Sequence, residues 1–179
     1  WIIGSGAFER EDGEAIHAKL YELAKKEGIV TKEWNGFNIL HRAASRVGAL
    51  DVGFVPQVSG KDFSGIIEGT KDGSIKALYL LGADEFDARA QIGWKTFVIY
   101  QGHHGDHGAS RADVILPGAA YTEKDGIYVN TEGRPQRAKK ASFPPGEARE
   151  DWKILRALSE TLGNALPYDT SAQLRQRIF

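Results

Sequence analysis

The chain has 179 residues with a formal net charge of -1, 41% hydrophobic and 26% charged, the balance of one globular domain with at most a small appendage. That charge leaves no electrostatic footprint for nucleic acid or an anionic membrane surface. The absence of cysteine excludes disulfides, thiolate-held zinc and any iron–sulfur cluster ligated by this chain's own thiolates.

Trp1-Ile2-Ile3 is a short apolar run that ends in Gly4-Ser5-Gly6. Asp12 is placed to cap a following helix, whose stripe is Ile16, Leu20, Leu23 and Ala24, with Gly28 at its C′ position. A second helix is expected near Asn38–Val47, and residues 56–74 read as a loop or weak helix. Ala77–Leu81, Thr96–Tyr100 and Ala112–Leu116 are continuous apolar runs, the pattern of strands in a parallel sheet covered on both faces. A short helix fits at about Phe86–Ile92. Lys124-Asp125-Gly126 reads as a turn between short strands, and Pro135–Pro145 as an extended crossing segment. Glu147–Leu162 is helical with Ile154, Leu155, Leu158 and Leu162 on one face, and Asp169 or Thr170 would cap a last short helix. The fold class is therefore α/β, a doubly wound parallel sheet flanked by helices. Residues 1–120 form the α/β domain, and residues 121–179 form a hairpin, an extended segment and helices that pack on it. No apolar run approaches the roughly 20 residues of a membrane span, and no signal-peptide pattern is visible. The opening inside a strand, without Met, reads as a fragment of a longer protein.

Four groups of residues invite a chemical reading. Gly4-Ser5-Gly6 suggests a dinucleotide turn, but the third glycine of that fingerprint falls on Glu9, whose carboxylate repels pyrophosphate. His103, His104, Asp106 and His107 could ligate zinc or iron, yet the glycines among them break any regular face, and neighbouring His103 and His104 are expected to point apart. Asp84, Glu85 and Asp87 suit a helix start better than acid–base work. Arg134, Arg137, Lys139 and Lys140 form a basic stretch that reads first as a solvated face, second as a grip on phosphate or an acidic partner.

Longer segments carry a resemblance. Gln101–Asp106, Ala112–Lys124, Tyr128–Arg134, Ala148–Lys153 and Leu166–Asp169 resemble the large iron–sulfur subunit of complex I, the respiratory NADH:quinone oxidoreductase, as do Leu40–Ser45 and Leu80–Asp84. That subunit is similar to the molybdopterin oxidoreductases, whose shared segments match Ala112–Pro117, Glu123–Gly126 and Asn130–Arg134. Two departures are present: Ala83-Asp84 follows the strand-ending Gly82 where active members carry Asn-Pro, and Gln101 stands where they carry an acidic residue.

The resemblance implies a scaffold of the peripheral arm, at the cytoplasmic or matrix face of an energy-transducing membrane. Iron–sulfur clusters would sit in an amino-terminal part of the subunit, and this chain would hold no cofactor or metal and perform no bond-making step. Its partners would be that amino-terminal part and other subunits of the arm. The surface expected to meet them is the loop Gln101–Ala109 with Asn130–Arg134, carried by His103, His104, Asp106, Asn130, Glu132 and Arg134. The alternative is a pterin-dinucleotide-binding fragment of a molybdenum or tungsten enzyme such as a formate dehydrogenase.

Overall fold

The computed structural model describes residues 1–178. They form two compact units: Trp1–Val55 with Ile127–Ala138, and Pro56–Gly126 with the chain from Lys139 on.

The first unit opens with β1 (Ile2–Gly4), a single 3-10 turn at Ser5–Phe8, and α1 (Gly13–Lys26). Asp12 precedes α1 without a capping bond, because its carboxylate faces Arg10, whose Nε lies 2.8 Å away. The inward face of α1 is Ile16, His17, Leu20 and Ala24, with Leu23 turned out to 44% exposure. His17 takes the place predicted for Leu23 because its ring meets Phe8 and Phe37 edge-on, at 5.2 and 5.7 Å between centroids. Gly28 leaves the helix at φ +70°, as a C′ glycine should.

The helix expected near Asn38–Val47 is instead β2 (Asn38–Leu40), parallel to β1 with Ile3 opposite Ile39, followed by α2 (Arg46–Asp51). The apolar stripe read there as one helix is the sum of a strand and a helix. Pairing with β1, far away in sequence, decided the strand.

The second unit begins with α3 (Phe63–Asp72), where a loop or weak helix was expected. Asp62 caps it, accepting from Gly65 N at 2.8 Å. Strands β3 (Ala77–Leu81), β4 (Phe97–Gly102) and β5 (Val114–Pro117) follow in spatial order, all parallel, with α4 (Ala88–Gln91) and α5 (His107–Arg111) as crossovers. Asp87 caps α4, accepting from Ala90 N at 3.1 Å, so the carboxylates there include a helix start. One face of the sheet is sealed: Ile67, Ala88 and Ile92 close over Leu80, Val98 and Tyr100. The other face carries Tyr79, Ile99 and Gln101, by the strand period of two.

Strands β6 (Gly126–Val129) and β7 (Pro135–Ala138) pair with each other. A connection as short as Asn130–Arg134 allows only an antiparallel hairpin. The hairpin turn lies at Asn130–Arg134, not at Lys124–Gly126, where it was expected. Asn130 and Gly133 supply the turn chemistry, Gly133 at φ +79°. Helix α6 (Asp151–Thr161) turns Ile154, Leu155 and Leu158 inward and leaves Leu162 73% exposed. Thr170 closes a capping box with Gln173 on α7 (Ser171–Gln176).

Candidate functional site

Open α/β sheets place ligands outside the carboxyl ends of their strands. In the second unit those ends are Leu81-Gly82, Gln101-Gly102 and Pro117-Gly118. The register continues past the strands: Gly82 N donates to Gln101 O at 2.7 Å, and Gly118 N to Gly102 O at 2.8 Å. Beyond β5, Ala119 N donates to Arg149 O and Arg149 N to Pro117 O, at 2.8 and 3.1 Å. This isolated parallel bridge delivers the first turn of α6, and with it Asp151, to the strand ends.

Gln101 is completely buried at the end of the central strand. A buried amide needs both of its ends satisfied. Its Nε2 donates to Asp151 Oδ1 at 2.9 Å and to the Asp151 carbonyl at 3.3 Å. Its Oε1 accepts from the Tyr79 hydroxyl. The second carboxylate oxygen of Asp151 pairs with Lys124 Nζ. Lys124 is held there by a turn in which Glu123 N donates to Ala120 O and Glu123 Oε2 accepts from Ala120 N, both at 2.9 Å. Burial, and then the negative charge of Asp151, push the Tyr79 phenol up from its ordinary range.

On the sealed face Tyr100 is 2% exposed. Its ring leaves no room for a side chain at 108, where a Cβ would stand 2.6 Å from the ring carbons. Its hydroxyl reaches Asp84 Oδ2 at 3.3 Å. Burial first, then the charge of Asp84, its hydrogen bond and the charge of Asp106 push the Tyr100 phenol up to about 12. Asp84 thus holds a buried phenol in place at the end of β3.

His103, His104 and Asp106 are exposed. The two imidazoles do not point apart as expected: their rings lie 4.3 Å apart, tilted by 44°. They line an open cavity of about 460 Å³ with Gly105, Pro117, Pro145 and Glu147. Among the described residues no three His, Asp or Glu side chains converge on a common metal position, so the segment does not assemble the metal cluster its composition suggested. From His107 to Arg111 it is helical, not loop.

Asn130, Glu132 and Arg134 fall in the first unit. Asn130 Oδ1 accepts from Glu132 N at 3.1 Å and Arg134 N at 2.9 Å, which closes the hairpin turn. Arg134 Nη2 lies 3.5 Å from Glu132 Oε2, and both side chains are exposed. The Gly4–Gly6 turn of this unit runs into a 3-10 turn, and Glu9 pairs with Arg42 at 3.1 Å. α1 starts at Gly13, after the 3-10 turn and not directly at the glycines.

Sequence reasoning missed the centre of the site. Gln101 reads in the sequence as a departure and as the start of the partner-facing loop, Lys124 as a turn residue and Asp151 as part of a helix, all three within segments that carry the resemblance, and nothing there joins them. Asp151 lies 50 positions from Gln101 and 27 from Lys124, beyond the reach of any local spacing rule.

Comparison with known proteins places this geometry. The molybdopterin oxidoreductase family model matches residues 1–161. The chain belongs to the molybdopterin oxidoreductase family. It is 55% identical, over 99% of its length, to the mitochondrial NADH-ubiquinone oxidoreductase 78 kDa subunit of Candida albicans, of which it covers 23%. It is 52% identical, over 98% of its length, to the NADH-ubiquinone oxidoreductase 75 kDa subunit of Reclinomonas americana, of which it covers 25%. It is 48% identical, over 99% of its length, to the mitochondrial NADH dehydrogenase [ubiquinone] iron-sulfur protein 1 of Solanum tuberosum, of which it covers 22%. The chain thus spans about a quarter of the length of these curated relatives.

Proposed function

We propose that this chain is a structural part of the large iron–sulfur subunit of an NADH:quinone oxidoreductase, supporting electron transfer from NADH to quinone by the intact complex without itself carrying electrons. The observation that carries this reading is 55% identity across 99% of the chain to an NADH-ubiquinone oxidoreductase 78 kDa subunit. The potato relative is named an iron-sulfur protein, yet this chain has no cysteine to hold a cluster. The clusters therefore belong to the part of the subunit that this chain does not match. The chain's own contribution is rigidity: two α/β units whose strand ends are tied by hydrogen bonds, holding neighbouring segments at fixed distances.

Its partners are that cluster-bearing part and other subunits of the peripheral arm. The exposed residues His103, His104 and Asp106 in one unit, and the exposed Glu132 and Arg134 with the half-buried Asn130 in the other, are offered to them. The location is peripheral, on the matrix (or cytoplasmic) face of the inner membrane. The mitochondrial relatives support this, and among the described residues no helix is long and apolar enough to cross a membrane.

Arg134→Glu, and His103→Ala with His104→Ala, introduced in the intact subunit, test the reading. The expected result is less assembled complex on native gels and lower NADH:quinone activity. The melting temperature of the isolated chain should stay put, because exposed substitutions move stability by no more than about 0.5 kcal/mol. Normal assembly of both variants would remove these residues from the interface. The match of residues 1–161 to the molybdopterin oxidoreductase model favours a second reading, a pterin-binding fragment of a molybdenum or tungsten enzyme. Elemental analysis of the intact subunit decides between them, since stoichiometric molybdenum or tungsten belongs only to the second.

A further inference from the structure

At the carboxyl end of β4 stand an ammonium, an amide and a phenol, from Lys124, Gln101 and Tyr79. Donors of this kind, beside the ends of parallel strands, are what α/β proteins use to grip the anionic part of a ligand. Here each of them is turned inward. Lys124 Nζ pairs with Asp151 Oδ2. Both contacts of Gln101 Nε2 go to Asp151, and the Tyr79 hydroxyl is given to Gln101. Asp151 is placed there by the bridge between Gly118 and Arg149, which aims the first turn of α6 at the strand ends.

The family's name implies a pterin cofactor, whose phosphate would need these donors. The residues present do not fit it. A Cβ at Gly118 would stand 3.0 Å from Asp151 Oδ1, so the close approach this glycine permits is taken by the chain's own carboxylate. Asp84, at the end of the neighbouring strand, adds a second carboxylate against any anion. The Lys124 and Asp151 side chains remain 24% and 31% exposed, within reach of a soluble anion, whereas Gln101 has no exposed surface.

We infer that Asp151 is an internal anion: its carboxylate fills, against Lys124 and Gln101, the place a ligand's phosphate would take, and so closes the carboxyl edge of the sheet to anionic ligands. The arrangement is an intramolecular block built from a helix start and a turn lysine.

Calorimetric titration with inorganic pyrophosphate tests it, using the 179-residue chain and its variants. The wild-type chain should show no saturable heat. Asp151→Ala, shown folded by circular dichroism, should bind pyrophosphate at least about tenfold more tightly, the factor that corresponds to roughly 1.4 kcal/mol. Adding Lys124→Met to that variant should abolish the gain. Where Asp151→Ala does not fold, the near-isosteric Asp151→Asn removes the charge while keeping the shape, and a gain in the same direction is expected. Saturable binding by the wild-type chain that Lys124→Met removes would overturn the inference. So would a folded Asp151→Ala or Asp151→Asn with no gain over wild type.

Discussion

The two ends of the three-stranded sheet solve the same problem with different chemistry. At the amino end, side chains satisfy main chain. Thr70 Oγ1 accepts from Gly93 N at 3.0 Å, and Thr96 Oγ1 donates to the carbonyls of Thr70 and Ile75 at 3.2 and 3.1 Å. Arg111 Nη2 donates to the carbonyls of Gly93 and Thr96, both at 2.9 Å, while Asp113 Oδ2 accepts from Val98 N at 2.8 Å. At the carboxyl end, side chains mainly satisfy one another, through Tyr79, Gln101, Asp151 and Lys124. The amino-end cluster replaces backbone partners that strand starts lack, so its loss exposes buried carbonyls and amides. The carboxyl-end cluster consists of groups that could equally have faced a ligand. The first is structural by necessity, the second by occupancy.

The largest test of that contrast is Arg111→Met. The guanidinium side chain is 6% exposed and pairs with Asp113 at 3.5 Å. Its removal strands the buried Thr96 carbonyl and the partly buried Gly93 carbonyl, and leaves Asp113 without this cation. A loss of about 3 kcal/mol is expected, read as a lower urea midpoint. A loss below about 1 kcal/mol would mean that the amino-end network is dispensable. Next comes Gly108→Ala, on the sealed face near the carboxyl end. The new methyl would meet the Tyr100 ring at 2.6 Å and the Ala83 carbonyl at 3.0 Å, neither of which is a flexible chain end. Overpacking of this kind costs about 2 kcal/mol, and a stability unchanged from wild type would show that the ring can shift freely.

The smallest effect appears only in alkali. Tyr100 is pushed up to about 12 in the folded chain, above the ordinary tyrosine value near 10. Between those values the folded state binds the proton and the unfolded state has released it. Stability from this phenol is therefore complete below about pH 10 and falls as pH rises through about 12. Difference titration of phenolate absorbance, with unfolding followed at each pH, should show this step in the wild-type chain and not in Tyr100→Phe. The same alkaline loss in both would assign it to other groups.

Legibility in the sequence followed the range of the interactions. Ala77–Leu81, Thr96–Tyr100 and Ala112–Leu116 declared themselves as parallel strands by their continuous apolar runs, but the expected cover on both faces is incomplete, with Leu81, Phe97, Val114 and Ile115 exposed. Gly28 declared a helix end and the pair Asp169-Thr170 a helix start, of which Thr170 is the cap, because capping acts within a few residues. The absence of cysteine alone removed thiolate ligation of a cluster by this chain. What only the tertiary structure decided was long-range. Asn38–Leu40 became a strand because β1 was there to pair with it, whereas the hairpin turn at Asn130–Arg134 is a local feature, made by Asn130 bonding main-chain amides two and four residues on. Lys124 read as an ordinary turn residue and Asp151 as an ordinary helix residue until the bridge between Gly118 and Arg149 brought Asp151 to Gln101 and Lys124. A side chain's chemistry is written in its own residue, but its partner is chosen by the path of the backbone between them.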